Sequence, residues 1–316
     1  MAGVQVIKLN SSSQLMAYLA LAVSMAFVGT SMTANKFIVG EVPVMIAGFV
    51  RFLAATVFMC SLTLLIDGKL PKLDRRTQVI LAAQTFFGSF LFTVLTLYGV
   101  DMTTAMVSGI ILAATPAVVA VMSWVLGDRL SRIAWVGVLL TIGGVLVVNL
   151  LGTPDDELAR RPILGAVLIF LAVVSEAAYT MFARLIAGNA SVLGITSWYS
   201  IYGAIMFLPP ALWVWREFDL GEIPQSAWIA MFYMGAVPGA LAVLLWFYGL
   251  RQVPASIAGA FTGVMPISAV LSAWLVLGER IAWPHILGMA LIMLGIVMVA
   301  RSRGRIVERK SLRFGR

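Results

Sequence analysis

Residues 97–124 read LYGVDMTTAMVSGIILAATPAVVAVMSW, and residues 247–274 read FYGLRQVPASIAGAFTGVMPISAVLSAW. At an offset of 150 they share Tyr98/Tyr248, Gly99/Gly249, Ala105/Ala255, Gly109/Gly259, Pro116/Pro266 and Trp124/Trp274. One inserted residue then sets LGDR at 126–129 over LGER at 277–280, Gly137 over Gly288 and Gly144 over Gly295. So many Gly, Pro and Trp matches in order are improbable by chance. The chain is read as an internal duplication. The first part of each copy is more diverged, with NKFIVG (35–40) lying against ARLIAG (183–188) and pairing Lys36 with Arg184.

Composition names the solvent of the two copies. Of 316 residues, 61% are hydrophobic and only 11% are charged, against about 25% charged in a soluble domain. A spanning helix needs about 20 mostly apolar residues. Ten such runs are predicted, at 14–36, 43–66, 77–99, 104–125, 132–151, 161–187, 193–215, 226–250, 256–277 and 282–300. They are continuous rather than alternating, which excludes a transmembrane barrel. The first is too long for the apolar core of a signal peptide and is expected to be retained. The fold class is thus an all-α polytopic membrane protein of ten transmembrane helices.

Each copy holds five helices. Five is odd, so the second copy enters the membrane from the opposite side, and the repeat is an inverted one. The expected organisation is an N-terminal segment 1–13, a first repeat 14–151, an outer linker 152–160, a second repeat 161–300 and a basic tail 301–316. Inverted repeats are common in secondary transporters, whose substrate site lies near the midplane between the copies.

The net charge of +8 does not point to nucleic acid, because the tail carries seven Lys/Arg and one Glu. A basic segment beside a spanning helix fits a cytoplasmic end facing anionic lipid. With the N-terminus inside, sixteen Lys/Arg fall on the inner side and five on the outer. That excess places both termini in the cytoplasm of a plasma or bacterial inner membrane. The expected partners are the lipid bilayer and a small-molecule substrate. No cofactor or metal is expected, since the sequence holds one His, one Cys and no metal cluster, nucleophile triad or ATP-binding lysine motif. The same lack of clustered chemistry disfavours a membrane-embedded lipid-modifying enzyme. A non-transporting subunit is the other alternative.

Glu176, deep in helix six, is the leading candidate. A charge at such depth costs roughly 2.5–3.5 kcal/mol and needs an interior partner. Tyr179 and Thr180 follow by three and four residues and share its face. A carboxylate beside an aromatic ring suits an amine-bearing substrate, and it can also exchange a proton. Arg51, about 12 Å into helix two at 1.5 Å per residue, is expected to hold backbone carbonyls or a substrate carboxylate. Lys36 and Arg184, near helix ends, read as snorkelling anchors or parts of gates. Pro116 and Pro266 interrupt helices four and nine at related positions, and such interruptions point to a transporter's site. Further cavity candidates are Phe27 and Ser31, Gln84 and Phe87, Tyr98, Tyr233, Trp246 and Tyr248. LGDR and LGER are read as interfacial connectors in which glycine ends the preceding helix.

The five-plus-five repeat resembles the EamA-like branch of the drug/metabolite transporter superfamily. The signal rests on Pro116 and Pro266, the LG[DE]R turns, the spaced glycines after them, and AGFVRFLAA (47–55) in helix two. One departure is Phe27-Val28-Gly29, where many relatives carry Trp-Gly. The resemblance implies a transporter of small metabolites, often an exporter of amino acids. It implies a cavity surrounded by helices one, three, four, six, eight and nine. It also implies that helices five and ten are peripheral, in a monomer or a homodimer.

Overall fold

A computed structural model describes residues 11–128, 130–151, 159–186, 190–250, 252, 253, 258 and 261–314. The described residues are helical, with no strand. The ten spans are α1 (Gln14–Lys36), α2 (Val44–Ile66), α3 (Arg75–Met102), α4 (Ala105–Val125), α5 (Arg132–Leu150), α6 (Pro162–Ile186), α7 (Val192–Trp215), α8 (Gln225–Leu250), α9 (Val264–Leu277) and α10 (Trp283–Arg301). Nine are long and apolar enough to cross a membrane by themselves, and α9 is a shorter apolar helix within the described residues. Ten spans put both ends of the chain on one face, called here the terminal face; the opposite face is the far face.

The predicted runs fall on these helices, but three breaks refine them. In α4 the helix ends at Leu112 and restarts at Thr115, with Pro116 at its second position. In α9 the restart is at Val264, capped by Gly263, with Pro266 two residues on. A proline is tolerated in a first helical turn, where its missing N–H has no partner to lose. The third break is in α1, where a turn at Thr30 precedes a short last segment, Ser31–Lys36.

Three segments are π-helical: Phe86–Leu91 in α3, Val237–Leu241 in α8, which has Pro238 in its first turn, and Ala273–Leu277 at the end of α9. The first two lie at the repeat offset to within a residue, so the duplication extends to a feature that the pairwise alignment does not display. Such bulges concentrate at functional sites.

The helix pairs reveal the symmetry. α5 packs on α10 and α2 packs on α7, so two helices each meet their own repeat partner. α3 packs on α6 as α8 packs on α1, and α4 on α6 as α9 on α1. The glycines fix the α5–α10 contact. A Cβ at Gly137 would lie 2.7 Å from Gly295 O, and one at Gly144 would lie 2.6 Å from Gly288 O. Gly137 is the twin of Gly288, and Gly144 of Gly295. The two contacts therefore exchange under a two-fold axis, as an inverted repeat requires. In lipid, helices associate through close packing of small residues of this kind. Gly288→Val places a Cβ about 2.8 Å from Gly144 O. It is expected to destabilise the fold by about 1–3 kcal/mol, read as a lowered melting temperature in detergent.

The outside of the bundle is apolar, as with Leu65 on α2 and Trp213 on α7, while hydroxyls are turned inward. Thr63 Oγ1 meets Ser197 Oγ at 2.8 Å between α2 and α7. Thr33 Oγ1 meets Ser272 Oγ at 2.7 Å between α1 and α9. Ser175 donates to Phe87 O at 2.7 Å, and Ser24 to Ala242 O at 2.6 Å, so α3 is tied to α6 and α8 to α1.

Candidate substrate cavity

Between the two copies lies a cavity of about 200 Å³. Its walls come from α1, α2, α3, α4, α6, α7 and α8. The resemblance left out α2 and α7. These two bring Arg51 and Tyr199 to the site, while no α9 side chain among the described residues lines it.

Glu176 sits midway along α6 and faces the cavity. Its Oε2 accepts a hydrogen bond from Thr115 Oγ1 at 3.0 Å. Thr115 begins the second half of the broken α4, and its hydroxyl is also 2.7 Å from Leu112 O. That carbonyl would ordinarily pair with the N–H four residues on, which Pro116 lacks. The proline break thus frees a carbonyl, and the one hydroxyl proton of the preceding threonine is shared between it and the Glu176 carboxylate. Thr180 donates instead to the Glu176 backbone carbonyl at 3.1 Å.

Aromatic rings flank the acid. Tyr179 lies edge-on to Tyr199, with centroids 5.5 Å apart. Gly88 in the α3 bulge makes room for Tyr179, since a Cβ there would lie 2.7 Å from the ring's Cγ. Opposite, Arg51 stands over Phe52, with Cζ 5.2 Å from the ring centroid. Its nearest hydrogen-bond partner is Thr93 Oγ1 at 3.4 Å. Among the described residues neither Arg51 nor Glu176 forms a salt bridge. Asn35, on α1, completes the polar lining with an amide that has no hydrogen-bond partner among the described residues.

Of the sequence candidates, Ser31, Arg51, Glu176 and Tyr179 line the cavity together. The others stand elsewhere. Gln84 is buried in α3. Phe87 stacks on Phe182 at 5.8 Å. The carbonyl of Phe27 accepts from Thr30, whose hydroxyl meets Tyr233 Oη at 2.5 Å. Trp246 packs with Ala17 and Leu21. Tyr98 and Tyr248 are half-exposed on the outside of the bundle. The Arg184 side chain and Gly259 lie outside the described residues.

The far face is closed by contacts between the copies. The turn after α9 contains Gly278 in the left-handed region, φ 71°, as Gly127 is at φ 101° in the related turn. These glycines end their helices as the sequence implies. Glu279 does more than connect, however. Its two carboxylate oxygens accept from the N–H groups of Ala105 and Met106, each at 2.8 Å, at the start of α4. An acid at a helix N-terminus meets unpaired N–H groups and a favourable dipole. Beside it, Lys36 donates to Thr103 O at 2.6 Å. The repeat-related acid, Asp128, is exposed on the terminal face.

Residues 15–150 and 163–301 match the EamA-like transporter family. The chain belongs to the EamA-like transporter family. Among its EamA-like relatives is the uncharacterized transporter YetK of Bacillus subtilis (strain 168), 34% identical over 90% of this chain and 86% of YetK. The uncharacterized inner membrane transporter YedA of Escherichia coli (strain K12) is 24% identical over 81% of each chain. A crystal structure sharing 16% identity superposes with a TM-score of 0.64, over 92% of this chain and 97% of that one. It establishes a common fold. The EamA-like chain is thus an integral membrane transporter built as a five-plus-five repeat, with Asn35, Arg51 and Glu176 lining one cavity between the copies.

Proposed function

We propose that this chain is a secondary active transporter that exports a small amine-bearing metabolite, foremost an amino acid, across the bacterial inner or plasma membrane. It works by alternating access, driven by a proton gradient or by exchange. One observation carries the reading: Arg51 and Glu176 line one cavity with no salt bridge to each other or to any other described residue. Charges held at such depth are costly and mark functional sites. A zwitterion supplies the missing partner to each, its carboxylate to the planar fork of Arg51 and its ammonium to Glu176. A volume of about 200 Å³ is that of roughly seven waters at about 30 Å³ each. That suits an amino acid better than a nucleoside or a drug.

The sixteen-to-five excess of Lys/Arg supports a cytoplasmic terminal face. The contacts of Glu279 and Lys36 then seal the outer side. A thermal-shift screen against amino acids, amines and sugars tests the substrate class, because a ligand that binds the folded state raises its stability. An amino acid is expected to raise the melting temperature, and a sugar is not. A shift from sugars alone would exclude the proposed class.

A further inference from the structure

Asn35 carries a hydrogen-bonding capacity that the fold does not use. It lies next to Lys36 near the far end of α1, is 1% exposed and lines the cavity. Its main chain is in order, the carbonyl accepting from Ile38 N and Val39 N at 3.0 Å each. Its side chain is not. Oδ1 and Nδ2 are both buried, and neither has a hydrogen-bond partner among the described residues. Buried amides are normally paired, and leaving one unpaired lowers stability. A leucine of similar size would suit this apolar span better if packing were the only requirement.

The arrangement on the cavity wall indicates what the amide is for. Arg51 and Glu176 provide one charge of each sign, which a small molecule bearing both signs satisfies. A carboxamide is different, because its acceptor and donor sit on neighbouring atoms. It matches a ligand whose donor and acceptor are equally close. We infer that Asn35 is a specificity-determining residue that forks the head group of an α-amino acid. Oδ1 accepts from the ammonium, and Nδ2 donates to the carboxylate. This rests on the zwitterion reading of the same cavity and adds the spacing of the charges to it. The ammonium keeps donors for Glu176, and the carboxylate keeps lone pairs for Arg51.

Two isomers separate charge from spacing. L-2-Aminobutyrate and 4-aminobutyrate have the same atoms and the same two charges, but only the first bears them on adjacent carbons. Binding of each is measured by thermal shift and by counterflow with protein in liposomes. Wild type is expected to bind L-2-aminobutyrate about tenfold or more tightly than 4-aminobutyrate. In Asn35→Leu the two affinities should fall within about twofold, through loss of the first rather than gain of the second. The ligand-free variant should melt at or above the wild-type temperature, which a merely structural asparagine would not allow. Asn35→Ala offers the same comparison should the leucine variant not fold. Equal binding of the isomers by wild type, or an unchanged preference in the variants, would overturn the role of Asn35 and leave the zwitterion reading standing. Binding of neither isomer by wild type would overturn both.

Discussion

Glu176→Gln is expected to lower transport of an amine-bearing substrate by about ten- to hundred-fold while leaving the protein at least as stable as the wild type. The size follows from what is removed. A hydrogen bond to a charged group contributes about 1.5–3 kcal/mol, and each 1.4 kcal/mol is a factor of about ten. Glutamine keeps the volume and an acceptor for Thr115 Oγ1, so the break in α4 retains its partner. It also removes a charge whose insertion costs roughly 2.5–3.5 kcal/mol. Stability and transport should therefore move in opposite directions. If protons drive the cycle, an imposed pH gradient will accelerate the wild type and leave the variant unaffected. A variant with lower stability and full transport would assign Glu176 to the framework rather than to the substrate.

Glu279→Ala is expected to open the far face. The carboxylate bonds two N–H groups at the start of α4, in the other copy. Loss of a helix cap costs about 0.5–2 kcal/mol, and the charge on Glu279 adds to that. A loss of about 2–3 kcal/mol shifts the balance between closed and open forms by roughly 30- to 150-fold. The shift is read by a cysteine at Ser31, on the cavity wall, in a background lacking Cys60. Labelling by a membrane-impermeant maleimide from the far face should rise at least tenfold in Glu279→Ala. Glu279→Gln retains one of the two acceptors and should be intermediate. Unchanged labelling would reduce the turn to the connector that its sequence suggests.

Much of the architecture is legible in the sequence because the membrane imposes it. Each span must be long and apolar, so the run at 132–151 and the helix Arg132–Leu150 nearly coincide. Pro116, Pro266 and the two LG[DE]R turns keep their register because backbone geometry needs those residue types there. The orientation of each helix is harder to read. A helix that is hydrophobic all round has no apolar stripe to set its phase, so nothing in the sequence separates Tyr199, on the cavity wall, from Tyr98, which faces outward. The π segment in α3 is hidden because it alters hydrogen bonding without a proline to mark it, whereas the one in α8 carries Pro238. Thr115 could have been found, since a hydroxyl residue before a mid-helix proline is placed to serve the freed carbonyl. Asn35 reads as a polar residue at the end of a span, and only its unpaired amide in the cavity marks it out. Glu279 reads as part of an interfacial connector, whereas its carboxylate accepts from N–H groups about 170 residues earlier in the chain.

Counterflow of labelled L-2-aminobutyrate into liposomes preloaded with the same compound tests the account most directly. It requires the cavity to bind substrate and to open alternately to both sides. Transient accumulation is expected with the wild type. It should collapse in Glu176→Gln and in Arg51→Leu, with both variants folded by their melting curves. Accumulation that persists when both charges are removed would contradict a transporter that recognises its substrate through Arg51 and Glu176.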